Sequence, residues 1–351
     1  VRAKDLSRPI HYERMNEVAD IESNMYASVE YVEEQGRTKS DKPYFLCEYA
    51  HAMGNALGNF AEYWEAFEGS ERNMGGCVWD WVDQAMRKKS SRRGGVLGGR
   101  DWHYAIGGDY DDFPNDGPFC NNGLVMPDRQ VTTKLLEVKR VQQNVAFSLS
   151  GRDVVARNKF AFTDLAEFDL RWQVRDDGRP VASGDLPMPR ILPGESGVVL
   201  PEVELPGIPD GQERFLHLQV LLRQDTIWAE AGHVIAEGQI ALGVGAPLPV
   251  STAPVPSFRA EGSARVLEAN GVVARIEDGV LVSYSIDGKE TLVQGPGLTV
   301  FRAFVDNDSW FQRDFWMSGL GTITTRLIRT SDGEGRVDAE FECLGWKGTG
   351  F

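Results

Sequence analysis

Glu48 closes the apolar run Pro43-Tyr44-Phe45-Leu46-Cys47 and opens a glycine-studded loop, Tyr49-Ala50-His51-Ala52-Met53-Gly54-Asn55. Such a run reads as a buried parallel strand, whose end delivers a side chain to the carboxyl face of its sheet, where barrel enzymes assemble their chemistry. A carboxylate held there is a candidate nucleophile or general acid/base. The plain alternative is a strand-end acid paired with an arginine or a helix N-terminus. The cysteines Cys47, Cys77, Cys120 and Cys343 show no metal-ligand spacing and read as reduced core residues of a cytoplasmic protein.

The elements around Glu48 alternate between short apolar strands and helical stretches, the pattern of βα units on a parallel sheet. Candidate strands are Pro9-Ile10-His11-Tyr12-Glu13, Asn24-Met25-Tyr26, Tyr44 to Glu48, and Cys77 to Val82. Between the last two, Leu57, Phe60, Ala61, Trp64 and Phe67 recur at helical spacing, and Gly69 offers a left-handed cap. Four strands cannot close a barrel, and an open half-sheet leaves unpaired edges. Residues 1–144 are therefore expected to be the second half of a (β/α)8 TIM barrel whose other strands precede Val1.

Near residue 145 the texture changes. Phe168, Leu170, Trp172 and Val174 alternate with polar residues, Asp176-Asp177-Gly178-Arg179 supplies a hairpin turn, and Leu216, Leu218, Val220 and Leu222 repeat the alternation. Residues 145–246 are expected to form an immunoglobulin-like β-sandwich. A proline-punctuated linker spans 247–257. Residues 258–351 begin an incomplete all-β, supersandwich-like domain with strands expected at Val272 to Ile276, Val280 to Ile286 and Leu298 to Phe304.

A chain of 351 residues with 42% hydrophobic content can bury two or three ordinary cores. Its net charge of −15 repels nucleic acid and anionic membrane surfaces, while a neutral substrate is compatible. The basic run from Arg87 to Arg93 reads as a solvated loop, and no segment has the length of a membrane span.

The strings Cys47-Glu48-Tyr49-Ala50-His51-Ala52-Met53-Gly54-Asn55 and Gly75-Gly76-Cys77-Val78-Trp79-Asp80-Trp81-Val82-Asp83-Gln84 resemble the nucleophile region of the large bacterial β-galactosidases of glycoside hydrolase family 2. The resemblance continues through Pro114-Asn115-Asp116, Phe119-Cys120-Asn121-Asn122-Gly123-Leu124 and Arg302-Ala303-Phe304-Val305-Asp306-Asn307-Asp308. Members of that family are about three times longer, so the resemblance implies an internal piece of a retaining β-galactosidase that acts on β-galactosides such as lactose. The whole enzyme is expected to be a cytoplasmic homo-oligomer with neither nucleic-acid nor membrane partners.

What the family implies is carried over residue by residue. Glu48 corresponds to the nucleophile that forms a covalent galactosyl-enzyme, and Tyr26 to the tyrosine that hydrogen-bonds it; read from sequence alone, Tyr26 is as well a core aromatic. His51 corresponds to a histidine on sugar hydroxyls. Trp79 and Asp80 must point to opposite faces of a strand, and an inward Trp79 stacks on the sugar, which turns Asp80 outward. Glu13 falls in the outer shell of the site. Phe119 and Asn122 correspond to sodium ligands, a backbone carbonyl and an amide oxygen suited to a hard cation, with Asn122 also near the substrate. Asn115 lies near a peripheral magnesium site, whereas the main Mg2+ ligands and the acid/base are expected before Val1. Asn16-Glu17 mimics the acid/base motif but stands too close to Glu48, since three βα units need about 75 residues or more.

Two stretches depart from the family pattern. Ser309-Trp310-Phe311 replaces a smaller, glycine-containing mobile loop, and Arg87 to Asp101 differs in length. Other family 2 specificities, β-glucuronidase or β-mannosidase, and a non-catalytic carbohydrate-binding or assembly module are the competing readings.

Overall fold

Three parallel strands carry the candidate site: β1 (Glu22–Met25), β2 (Tyr44–Tyr49) and β3 (Asn73–Val78), in that spatial order. The computed structural model describes residues 2–90, 101–202, 205–248, 255–297, 299–305, 308 and 311–345. It divides into two units, Val1–Leu248 and Pro249–Phe351.

In the first unit, α1 (Val29–Arg37) and α2 (Phe60–Glu68) connect the parallel strands. Ser28 caps α1 by accepting from the Tyr31 N–H at 3.3 Å. Val32, Tyr44, Leu46, Tyr49, Phe60 and Phe67 are buried between helices and sheet, each contributing about 1.5–3 kcal/mol of apolar transfer. The Asn73 amide, at the start of β3, donates to the Val32 and Ala66 carbonyls at 3.2 and 3.0 Å and so ties both helices to the strand. Gly76 lets β3 approach β2 closely, because a Cβ there would lie 2.7 Å from the Leu46 carbonyl oxygen.

Several expectations need correction. Pro9 to Glu13 forms only an isolated parallel bridge, His11 to Ile21. The third strand runs Asn73–Val78 and not Cys77 to Val82, so Trp79 and Asp80 lie past its end. On α2, Ala61 is exposed and Ala66 takes the buried position, because helical periodicity from Phe60 returns to the core there. Gly69 keeps a right-handed φ of −75°, its N–H still bonded to the Glu65 carbonyl at 2.9 Å. All four cysteines are free but none is buried, and Cys77 is exposed.

Beyond β3 come the antiparallel pair β4 (Met86–Lys89) and β5 (Trp102–Ala105), then α3 (Thr133–Val141). The departure from Arg87 to Asp101 falls largely at 91–100, outside the described residues. Two sheets follow. One has the order β10 (Ser196–Leu200), β7 (Asp153–Asn158), β6 (Val145–Ser150). The other has the order β12 (Val234–Val244), β11 (Glu213–Leu222), β8 (Phe168–Asp176), β9 (Arg179–Pro187). Their inner faces share one core of Val145, Val154, Ala156, Leu170, Val174, Leu216, Leu218 and Val220. Asp177 and Gly178, with φ of 43° and 81°, make the tight turn between β8 and β9 that the sequence signals.

In the second unit, β13 (Ser257–Glu261), β14 (Ala264–Ala269), β15 (Val272–Glu277), β16 (Val280–Ile286) and β17 (Lys289–Glu290) form an antiparallel meander. α4 (Gln312–Ser318) and the hairpin β18 (Thr324–Gly333) with β19 (Arg336–Leu344) follow. Leu298 is outside the described residues and 299–304 form no strand, since Phe301 and Phe304 pack instead on Phe315 and Trp316 beside α4. Most of the linker, 249–254, and residues 306–307 and 309–310 of the family motif and its departure also fall outside the described set.

Candidate active site

Strict alternation along β2 would put Glu48 on the same face as Tyr44 and Leu46, against the helices. A register shift prevents this: Asn24 pairs with Leu46 and Met25 with Glu48, which leaves Cys47 unmatched in the ladder. After Leu46 the next fully buried position is Tyr49, and Glu48 is half-exposed. Bulges of this kind re-aim a side chain, and here the carboxylate leaves the core face at the carboxyl end of the central strand.

Tyr26 meets it from the end of β1. Its backbone N–H donates to the Glu48 carbonyl at 2.8 Å, and its phenol lies within electrostatic reach of the Glu48 carboxylate. Burial, then that carboxylate, pushes the Tyr26 pKa well above the ordinary phenol value, so the phenol stays a donor at neutral pH. Tyr26 adopts a φ of 55°, uncommon for a residue other than glycine, and its ring is 45% exposed. His51 packs between aromatic neighbours, 6.1 Å from the Tyr26 ring and 5.2 Å from the Phe119 ring, centroid to centroid.

The segments after β2 and β3 are laced together. The Trp79 N–H donates to the Tyr49 carbonyl at 3.0 Å and its carbonyl accepts from the Ala52 N–H at 2.7 Å. The Trp79 ring is 36% exposed, available to stack on a ligand. Asp80 donates its N–H to the Asn122 carbonyl at 2.8 Å, while its carboxylate accepts from the Val82 N–H at 3.1 Å and from the Gln84 amide at 2.5 Å. The Asp83 carboxylate accepts from the Gly123 N–H at 2.8 Å. Asp80 and Asp83 thus hold loop geometry, and neither is aimed as a proton donor at Glu48.

Asn122 is 4% exposed; its amide nitrogen donates to the Phe119 carbonyl at 2.9 Å, and its amide oxygen is buried with no hydrogen-bond partner among the described residues. An orphan amide oxygen beside a backbone carbonyl suits a hard monovalent cation. Magnesium fits poorly. Asn115 is exposed, with its amide spent on the Asp112 carbonyl at 2.8 Å and the Gly117 N–H at 3.0 Å, and no cluster of three or more His, Cys, Asp or Glu occurs among the described residues.

Glu13 is half-buried and pairs with Arg14 at 2.9 Å. Burial first, then the Glu13 and Glu48 charges, raises the Cys47 pKa, and the thiol donates to the Asn24 carbonyl at 3.3 Å. Lys134, in the first turn of α3, donates to the Ala52 carbonyl at 2.6 Å. No sequence reading singles it out, although a cation in the turn where the helix dipole disfavours one is a usable signal.

Residues 1–147 match the model of the glycosyl hydrolases family 2 TIM barrel domain, and residues 154–243 that of beta-galactosidase domain 4. A beta-galactosidase from Alteromonas mediterranea is 36% identical over 337 residues, covering 87% of this chain and 31% of the relative. Another from Priestia megaterium is 33% identical over 320 residues, covering 88% and 30%. The chain therefore spans under a third of the length of these relatives. A β-glucuronidase structure from Parabacteroides merdae is 10% identical over 82% of this chain and 36% of its own, at a TM-score of 0.28 too low to carry an argument. With both family models in consecutive order and two relatives matched over most of its residues, the chain belongs to glycoside hydrolase family 2.

Proposed function

We propose that this chain supplies the nucleophile half of a retaining β-galactosidase site, with Glu48 as the nucleophile. The observation that carries the reading is a strand-end carboxylate that a bulge has turned out of the core, with Tyr26 bonded to its backbone and the Tyr26 phenol within reach of its charge. In the reaction, a Glu48 oxygen bonds to the anomeric carbon as the bond to the aglycone oxygen breaks, and that oxygen takes a proton from a general acid. Water then hydrolyses the galactosyl ester. Tyr26 stabilises the carboxylate charge that returns to Glu48 as the ester breaks. Trp79 offers the stacking surface and His51 a hydroxyl contact; Glu13 stands behind Cys47.

Asp80 is hydrogen-bonded to Gln84 and Glu13 is paired with Arg14, so neither is free to act as the acid. We assign that role, and the main magnesium ligands, to residues outside this chain. Lacking them, the isolated chain is expected to be inactive on lactose, since a missing general acid costs about 10²- to 10⁴-fold, or roughly 3–5 kcal/mol. Asn122 and Phe119 would hold a sodium ion that adds positive charge near sugar hydroxyls. The free cysteines favour a cytoplasmic setting, and we expect the full-length gene product to be a homo-oligomer. No described helix is long and apolar enough to cross a membrane.

Labelling the full-length gene product with an activated 2-deoxy-2-fluoro-galactoside, followed by peptide mapping, tests the assignment. The label is expected on the peptide that holds Glu48. Its attachment to any other residue would overturn the nucleophile assignment.

A further inference from the structure

Three loops meet at one lysine. The Lys134 side chain leaves the first turn of α3, half-buried, and its ammonium donates to the Ala52 carbonyl at 2.6 Å. Ala52 is itself fully buried and its N–H donates to the Trp79 carbonyl at 2.7 Å. The two peptide groups that flank its α-carbon are thus anchored separately, one on Trp79 and the other on Lys134. The first of them carries His51.

Lys134 is anchored in turn. The Thr132 hydroxyl, at the N-cap of α3, donates to the Leu124 carbonyl at 2.6 Å and docks the helix start on the third loop. Asp83 and Asp80 oppose the effect of burial on the ammonium and help keep it charged. Their carboxylates are fixed by the Gly123 N–H and by Gln84. Burial outweighs the two carboxylates and lowers the Lys134 pKa, at a helix end that also disfavours a cation, so the bond to the Ala52 carbonyl is made at a cost. Glu48, by contrast, is held by the pairing of β1 with β2, in which Lys134 is not a partner.

We propose that Lys134 is a positioning residue for sugar binding: by holding the Ala52 carbonyl it fixes the His51 ring and the Trp79 backbone, without touching Glu48. This rests on the galactosidase reading above and adds to it a determinant of affinity that lies outside the site.

The test uses the full-length gene product as Lys134→Met and Lys134→Arg variants, with active sites counted by the fluoro-galactoside label. For Lys134→Met, KM for an aryl galactoside and the inhibition constant of a non-hydrolysed thiogalactoside are expected to rise about tenfold, the effect of losing one charge-assisted hydrogen bond. The labelled fraction and the limiting labelling rate at saturating reagent stay within about twofold of the parent. Lys134→Arg, which keeps a cationic donor, restores both constants toward parent values. Lys134→Gln, shorter and neutral, must show the same rise and serves where the Met variant does not accumulate. A merely structural role lowers the labelled fraction with unchanged constants, and that result overturns the proposal. If the parent takes its label at Glu48 yet the variants bind as the parent does, only the Lys134 proposal falls. If the parent takes no label at Glu48, the galactosidase reading falls and this proposal with it.

Discussion

Tyr26 is hydrogen-bonded to the backbone of Glu48, and its phenol is within reach of the Glu48 charge. The Tyr26 amide donates to the Glu48 carbonyl at 2.8 Å, and the Glu48 carboxylate helps raise the pKa of the phenol. The backbone bond holds the ends of β1 and β2 in register and so keeps the phenol near the carboxylate. A donor fixed this way gives its full stabilisation when negative charge returns to Glu48, with no reorganisation at that moment.

Replacement of Tyr26 by Phe removes the donor and little else, because the ring is already part-exposed. In the full-length gene product, kcat is expected to fall by about 10²-fold with KM changed far less. Steady-state kinetics with an aryl galactoside check this. A Tyr26→Phe enzyme with parental kcat would remove the phenol from the reaction.

Asn122 has a buried amide oxygen with no hydrogen-bond partner among the described residues, while its amide nitrogen donates to the Phe119 carbonyl. If sodium pairs with that oxygen, exchanging sodium for a bulky organic cation is expected to raise KM in the parent several-fold, roughly 1 kcal/mol of lost binding. Asn122→Ala should show the high KM in either salt. A variant that still responds to sodium as the parent does would place the ion elsewhere.

How far the sequence alone reaches is clear from particular residues. The end of the run at Glu48 is legible because five apolar residues, Pro43 to Cys47, followed by a glycine-containing loop have one economical reading. Alternation in β8 and β11 is equally plain, since each inward side chain meets one shared core. In the second unit, Asn270-Gly271, Asp278-Gly279 and Asp287-Gly288 mark the turns of the meander at positive φ. The bulge at Cys47 was not legible, because a register shift depends on the partner strand and leaves no local trace. The parity argument for Trp79 and Asp80 assumed a strand from Cys77 to Val82, but the strand ends at Val78, so their environments come from the loop hydrogen bonds instead. Lys134 lies far from Ala52 in sequence, and only the closing of α3 onto the loops brings them together.

Tyr49 sets an alkaline limit on the barrel unit. Its ring is fully buried among Phe60, Tyr63 and Phe67, and its hydroxyl accepts from the Trp64 indole at 3.0 Å. Burial pushes its pKa from 10.0 up to about 12, against the smaller opposing effect of that hydrogen bond. The folded state therefore holds the phenolic proton more tightly than the unfolded chain does. The stability this confers is complete below pH 10, where both states keep the proton, and is lost as pH rises toward 12, where only the unfolded chain has released it. A shift of that size amounts to about 2–3 kcal/mol. Tyr49→Phe leaves the Trp64 donor unpaired and is expected to be less stable at pH 7 by about 1 kcal/mol. Its alkaline decline should also be shallower, because the Tyr49 contribution is gone, though not absent, since Tyr26 and Tyr44, both held above the ordinary value, still contribute theirs. Urea midpoints of parent and variant measured from neutral pH upward should therefore converge or cross above pH 10. Two curves that stay parallel throughout would mean that Tyr49 does not govern the alkaline limit.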